Sequence, residues 1–270
     1  MKNLFIVDLN SLVVQLAFGV MKSRKDKENK VPYISTRNSA VSYVYKYLEK
    51  SGYMRGDEVL IAREGRRPWR YEYLPQYKST RDHDSMEWKQ IHAVIDGAFP
   101  ILQSQYGFKP IYVSDAEADD VIGTIAIHFA GQRDITIISS DKDFRQLFDY
   151  VPNLKIMSPQ KKKWIEPDDS YDLHKHIMKG DKTDGIPSIL NYGGGMILQD
   201  VRQWKLNSKV VKKLFDANNE FIGEEFPDVK KGYELNRMLI DLRYIPNDIK
   251  DDILDVYERQ SAESTIFEVA

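Results

Sequence analysis

The run Ile135-Thr-Ile-Ile-Ser-Ser-Asp141-Lys-Asp143 decides the fold. Its first four residues are apolar or β-branched without a polar break, the pattern of a strand covered on both faces, as in a parallel sheet. The run then ends in two serines and two aspartates. Carboxylates buried side by side are costly unless a cation or hydrogen-bond donors compensate. Mg²⁺, a hard ion that takes oxygen ligands, is one such cation. The same habit recurs at Phe5-Ile-Val-Asp8, at Glu117-Ala-Asp119-Asp120 and at Gly180-Asp181-Lys-Thr-Asp184. Open α/β sheets bind ligands beyond the carboxyl ends of their strands. Acids that end successive strands are therefore expected to meet.

Working outward, the first half alternates strand and helix patterns. Strands are expected at 4–7, 59–62, 110–113 and 135–138, and helices at 11–20, 35–51, 86–105 and 115–130. In the last of these Val121, Ile122, Ile125 and Phe129 recur at helical spacing and should face inward. This alternation implies an α/β fold: a central, mostly parallel sheet flanked by helices. After residue 150 a hairpin-like piece at 155–165 gives way to helical patterns up to Arg259. The expected division is an α/β domain over 1–168 and a helical half over 169–260, with a loose tail at 261–270.

The 270 residues suffice for a sizeable core, and 39 basic residues nearly balance 41 acidic ones. The balance hides local contrast. Residues 63–81 carry six bases against Glu64 and Glu72, residues 22–30 carry five against two acids, and Lys161-Lys162-Lys163 follows Lys155. Acidic clusters beside basic patches suit a metal-dependent enzyme that acts on a polyanion, although each cluster taken singly also reads as a solvated loop. The chain has no cysteine, so thiolate chemistry, disulfides and Cys-ligated zinc are excluded. No apolar run reaches the ~20 residues of a membrane span, and no signal-peptide pattern opens the chain. A soluble, intracellular protein is expected.

Each acid also has an ordinary reading. Asp8 could cap the following helix, and Asp141 and Asp143 could cap a helix at 144–149. Glu117 could close a capping box with Ser114, while Asp119 and Asp120 suit a first helical turn. What is not ordinary is their joint arrival at matching topological points. Such a cluster, loaded with two divalent ions, hydrolyses phosphodiesters. No Walker A or Gly-x-Gly-x-x-Gly fingerprint competes, and the five histidines lack zinc spacing.

These blocks carry a resemblance. Phe5–Asp8, Pro75-Gln-Tyr77-Lys78-Ser-Thr-Arg81, Glu117–Asp120, Ser140–Leu147, Lys179–Asp184 and Asp241-Leu-Arg-Tyr-Ile-Pro246 resemble, in order, the blocks of the 5′-nuclease superfamily of flap endonucleases and 5′→3′ exonucleases. Within it the chain is most similar to the bacteriophage T4 RNase H branch. The resemblance implies a two-metal, Mg²⁺-dependent nuclease, with Mn²⁺ as a substitute, that removes RNA primers and 5′ flaps during lagging-strand synthesis. By motif position, Asp8, Glu117 and Asp119 match the first-metal ligands, and Asp141, Asp143 and Asp184 the second. Asp120 and Asp181 match supporting acids. Lys78 and Arg81 match contacts to the scissile and neighbouring phosphates, on a basic gateway at 63–85 that also offers Arg67, Arg70 and the aromatics Trp69, Tyr71, Tyr73 and Tyr77. A helix–hairpin–helix-like segment at 180–202 would grip duplex DNA through Lys182, Asn191, Gly193 and Gly195, with K⁺ as a further ion.

Two departures stand out. Where the family has an aspartate after its second strand, this chain reads Ala62-Arg63-Glu64-Gly65, so Glu64 takes that place. In the hairpin, Asn191-Tyr192-Gly193 replaces Gly-x-Gly, and the chain continues into Gly194 and Gly195. The implied partners are DNA and RNA–DNA hybrids with a 5′ flap or 5′ end, together with a replication clamp or single-strand-binding protein. The implied setting is a monomer in the cytoplasm of a phage-infected host. The rival readings are a PIN-type ribonuclease, opposed by the Lys179–Asp184 block and the long gateway; a haloacid-dehalogenase-type phosphatase, which needs an aspartate where Asn10 stands; and a non-catalytic branched-DNA binding module, opposed by the intact acids.

Overall fold

Leu4–Asp8 forms strand β1, all five residues buried. Uniform burial along a strand means helices on both faces, and the topology agrees. The computed structural model describes residues 3–23, 33–79, 86–167, 171–191 and 208–269. Among these, β2 (Glu58–Ala62), β3 (Lys109–Ile111), β4 (Ile135–Ile138), β5 (Leu154–Ser158) and β6 (Lys163–Ile165) join β1 in one sheet of order β3-β2-β1-β4-β5-β6. The first five are parallel and β6 pairs antiparallel with β5.

The two faces follow from the two-residue period of a strand. Phe5 and Val7 of β1, with Val59 and Ile61 of β2, pack under α1 (Leu9–Ser23), α2 (Tyr33–Lys50) and, after the short α3 (Arg70–Tyr73), α4 (Met86–Tyr106). Leu4, Ile6 and Leu60 point the other way and are fully buried. On that face α5 (Ala118–His128) packs against β1 and β2, and the C-terminal α9 (Asn247–Val269) packs on α5 and β3. In α5, Val121, Ile122 and Ile125 are fully buried as their spacing implies. Phe129 is only half-buried, because it is the helix C-cap and sits against Arg133 and Tyr257.

The chain divides into two compact units. Unit 1 comprises 1–68, 82–168 and 246–270, and unit 2 comprises 69–81 and 169–245. Unit 2 holds α3, α6 (Leu173–Lys179), α7 (Ser208–Leu214) and α8 (Pro227–Ile240). Two differences from the expected boundaries follow. The gateway segment from Trp69 onward packs with the helical residues, fixed by Arg70, whose Nε donates to the Leu239 carbonyl at 3.0 Å. The stretch after 245 returns to the sheet unit, and α9 stays helical through Val269 where a loose tail was expected. No helix among the described residues is long and apolar enough to cross a membrane.

Candidate active site

In unit 1 the register of three neighbouring strands sets the exits of β1, β2 and β4 side by side. Asp8 lies opposite Ala62 of β2, and Val7 lies opposite Ile138 of β4. Chains that leave the sheet from these rows start about 5 Å apart. Ser139 is thus next to Asp8, and its hydroxyl donates to Asp8 Oδ2 at 2.7 Å. The same hydroxyl accepts from the Asp141 amide at 3.1 Å, and Asp141 Oδ1 accepts from the Asp143 amide at 2.9 Å. One serine therefore ties the β1 acid to the β4 acids. Asp8 Oδ1 also accepts from the Ser11 amide at 2.9 Å, so one oxygen caps the start of α1 as the ordinary reading expects and the other meets Ser139. Asp8 is buried, Asp143 half-buried and Asp141 exposed.

From β2, the Glu64 amide donates to Asn10 Oδ1 at 3.2 Å, which places that residue beside the end of β1. Gly65 explains why the segment can approach α5. Its amide donates to the Ala116 carbonyl at 2.8 Å, and an added Cβ would collide with the carbonyls of Val113, Ser114 and Ala116. Arg63, counted with the basic gateway, is turned away. It pairs with Asp96, and its guanidinium lies 5.4 Å from the Phe99 ring and 5.2 Å from the Tyr112 ring.

Glu117 and Asp120 are fully buried and Asp119 half-buried. The capping box differs from the expected one. Glu117 is itself the N-cap of α5, and its amide donates to Asp120 Oδ2 at 2.9 Å, so the box is Glu117–Asp120 and Ser114 stays outside it. Glu117, Asp119 and Asp120 thus open α5 just after the segment that Gly65 ties to the exit of β2. Carboxylate oxygens of this kind suit a hard divalent ion and not a thiophilic one.

Unit 2 holds the remaining acids in a stiff turn. Gly180 caps α6 at φ +68°, and a Cβ there would collide with the carbonyls of Ile186 and Pro187. Asp181 Oδ1 accepts from the Thr183 amide at 2.7 Å, and its carbonyl accepts from the Ile186 amide at 2.8 Å. Asp184 accepts from the Tyr77 hydroxyl at 3.2 Å, and its carbonyl accepts from the Lys78 amide at 2.8 Å. Lys78 sits at φ +52°, its side chain largely buried and its Nζ 5.1 Å from the Tyr77 ring.

Several gateway expectations change. Tyr77 is 3% exposed and edge-on to Tyr71, so it braces Asp184 and is not offered to bases. Trp69 and Arg70 are buried, the guanidinium 4.5 Å from the indole. Arg70 therefore serves the packing of unit 2 and is withdrawn as a surface phosphate contact. Arg67, Lys182 and Asn191 are exposed. Arg81, Gly193, Gly195 and the hairpin from residue 192 onward lie outside the described residues, as does most of the basic run at 22–30.

Sequence reasoning missed four supporting residues. Ser139 and Asn10 fix the strand ends. Asn236, fully buried, donates to the carbonyls of Ile177 (2.8 Å) and Pro187 (2.9 Å) and so clamps the Asp181–Asp184 turn. His176 places Nε2 3.4 Å from Asp181 Oδ2, with Nδ1 3.3 Å from the Tyr171 hydroxyl. Only Ser139 left a readable signal, a hydroxyl at the step where a buried strand becomes acidic.

A mostly parallel sheet whose strand exits carry carboxylates is the frame of a resolvase-like domain as a class. Residues 3–177 match the model for the 5′-3′ exonuclease N-terminal resolvase-like domain, and residues 168–266 match that for the T4 RNase H C terminus. The chain belongs to the 5′-3′ exonuclease family. It is 27% identical to ribonuclease H of Enterobacteria phage T4 over 217 residues, covering 77% of this chain and 66% of that protein. It is 24% identical to a 5′-3′ exonuclease of Streptomyces coelicolor, over 70% of this chain and 67% of that protein. The chain thus aligns with about two thirds of the length of these relatives. Its fold is that of the bacteriophage T5 flap endonuclease solved as a pseudo-enzyme–product complex with DNA and metal ions. There the TM-score is 0.62 at 20% identity, over 96% of this chain and all of the other. The T5 5′-exonuclease with bound zinc gives the same values.

Proposed function

We propose that the protein is a Mg²⁺-dependent 5′-nuclease that hydrolyses phosphodiesters in RNA–DNA hybrids, 5′ flaps and duplex 5′ ends, and removes RNA primers during lagging-strand replication. The observation that carries this reading is the single hydrogen-bonded frame, Asp8–Ser139–Asp141–Asp143, at the carboxyl edge of the sheet. Asp8, Glu64, Glu117, Asp119, Asp120, Asp141 and Asp143 would hold the metal from unit 1. Asp181 and Asp184 are proposed as further ligands on motif position. Divalent ions bound by such carboxylates supply activation of water and charge stabilisation at the attacking and leaving oxygens.

The chain's own groups do the rest. Ser139 and Ser11 hold the two oxygens of Asp8 in fixed directions, so little reorganisation is needed when charge develops. Lys78, pinned at its amide and against Tyr77, is proposed to present a cation to the phosphate under attack, with Arg81 beside it in sequence. Arg67, Lys182 and Asn191 are proposed as backbone-phosphate contacts. A clamp or single-strand-binding protein as partner, and K⁺ at the hairpin, are further proposals from the family resemblance.

The test is cleavage of end-labelled 5′-flap, nicked-duplex and RNA–DNA substrates with Mg²⁺ against EDTA. Metal-dependent release from the 5′ side is expected. Tight branched-DNA binding with no cleavage under any divalent metal would replace this reading with the binding-module one.

A further inference from the structure

The triple lysine run has a definite place in unit 1, and it is built onto the acid-bearing segment. The turn between β5 and β6 is sewn down at four points. The Gln160 amide donates to Ser140 Oγ at 3.0 Å, and the Lys161 amide to Ser158 Oγ at 3.2 Å. The two serine hydroxyls lie 3.3 Å apart. From α2, the buried Tyr47 hydroxyl donates to the Pro159 carbonyl at 3.0 Å, and Lys50 Nζ to the Lys162 carbonyl at 2.6 Å. Lys162 takes φ +56°, a conformation uncommon for a long side chain. With the turn so fastened, Lys161, Lys162 and Lys163 all stay exposed.

Helix α2 extends this charge. Ser39, Ser42, Lys46 and Lys50 follow at steps of three and four, so they share one face that advances about 16 Å. All four are exposed. Along the same face lies an open groove of about 320 Å³, bounded by Leu16, Asn38, Ser39, Ser42, Tyr43 and Lys46. Glu49 flanks the face, and Glu166 follows β6. Among the described residues no ion pair joins either acid to these lysines.

We propose that Lys46, Lys50 and Lys161–Lys163, with Ser39 and Ser42 of the groove on α2, form one track that grips the phosphodiester backbone of a nucleic acid. Ser140 is the residue before Asp141, so the track is fixed to the acids by a Ser140–Ser158 clasp and keeps its distance from them when the surface is loaded. Lysines and hydroxyls bind phosphates but do not read base edges, so the grip is independent of sequence. The choice of a nucleic acid as the polyanion rests on the nuclease reading above.

The test measures binding without chemistry, in EDTA, to a single strand, a blunt duplex and an RNA–DNA hybrid, each in two unrelated sequences. The variant is Lys161→Ser, Lys162→Asn, Lys163→Thr; Asn tolerates the positive φ and Thr suits the strand. A second variant has arginine at all three positions. For duplex, the slope of log Kd against log salt falls by about 0.9 for each phosphate that is no longer neutralised. A fall of about 2 to 3, with Kd weakened at least tenfold at 0.1 M salt and equally for both sequences, is expected of the neutral variant. The arginine variant should restore both, and Lys46→Gln should lower the slope by about 1.

An unchanged slope in a neutral variant that keeps the parental melting temperature overturns the track and leaves the lysines as guards of the β6 edge. Failure of the arginine variant to bind also overturns it, since shape and not charge would then matter. The wild type is assayed for cleavage with Mg²⁺ in parallel. A wild type that cleaves, beside a neutral variant with an unchanged slope, sinks the track alone. A slope that responds to the lysines, in a protein that never cleaves, sinks the nuclease reading alone.

Discussion

At the residue scale, the informative side chains each hold two relationships at once. Asp8 gives one oxygen to the start of α1 and the other to Ser139. Asp141 is exposed and bonded chiefly through backbone amides, so Asp141→Asn should leave melting within about 0.5 kcal/mol of the parent. It should lower the cleavage rate at least a thousandfold, because the carboxylate proposed as a metal ligand becomes a neutral amide. Single-turnover rates beside a thermal melt decide this; a folded variant with near-normal cleavage removes Asp141 from the site. Gly65→Ala should do the opposite. Its Cβ has nowhere to go among three carbonyls, so a loss of about 1–3 kcal/mol is expected, and the melt should register it before any assay does.

His174 brings a pH dependence. Burial holds its imidazole below the ordinary value of 6.5, with Asp172 opposing. It sits edge-on to Phe215 and Tyr233. The unfolded chain therefore binds a proton that the folded one resists. This contribution is fully present above pH 6.5 and is lost as pH falls from there through the lowered folded value. Melting temperature should decline over that interval, and His174→Phe should flatten the decline. A parallel decline in the variant would assign it elsewhere.

At the element scale, Glu58 locks the amino edge of the sheet, opposite the acids. It opens β2 and pairs with Lys109 at the head of β3 and with Arg133 before β4, while Tyr257 of α9 lies 3.4 Å away. Burial pushes its carboxyl up, but the two cations outweigh that and hold it below its ordinary value of 4.5. Its stabilisation is complete above pH 4.5 and fades as pH falls toward the lowered value. Glu58→Gln leaves two half-buried cations facing an amide, and about 3–5 kcal/mol should go at neutral pH. Chemical denaturation at pH 7 and pH 4 should show the difference between parent and variant shrinking at the lower pH.

Much of this scale is legible in the sequence. Ile135–Ile138 is a strand because all four residues are β-branched and buried, and its exit carries the candidate acids Asp141 and Asp143. The Arg70–Leu239 bond is not legible, since 169 residues separate its ends and basic residues in a row look like a solvated patch. Tyr77 reads as a stacking surface because an aromatic in a basic loop carries no mark of its hidden partner, Asp184. The Glu117–Asp120 box is easily assigned to Ser114 instead, because both spacings fit the same three-residue rule and only backbone direction separates them.

At the scale of the whole molecule, neither unit is one continuous stretch of chain. The 69–81 segment belongs with 169–245, and 246–270 belongs with the sheet. A chain ended at residue 167 would strand Trp69, Arg70 and Tyr77 without the Leu239 and Asp184 groups that receive two of them, and would strip α9 from β3 and α5. It is expected to be insoluble or molten, with near-UV dichroism lost. A cooperative melt from that fragment would show that the sheet unit stands without its last helix.

That interleaving sets a timetable for synthesis. At about 5–20 residues per second, roughly 90 residues separate the making of segment 69–81 from that of its partners, a wait of about 5–20 seconds. Strand β3 waits longer still for α9, with its edge and the outer face of α5 bare in the interval. Unpaired edges on nascent chains invite association with other chains. Slower translation upstream of α9 should therefore raise the aggregated fraction without altering any property of the finished protein, and the last described helix acts as the clasp that closes the first-made strands.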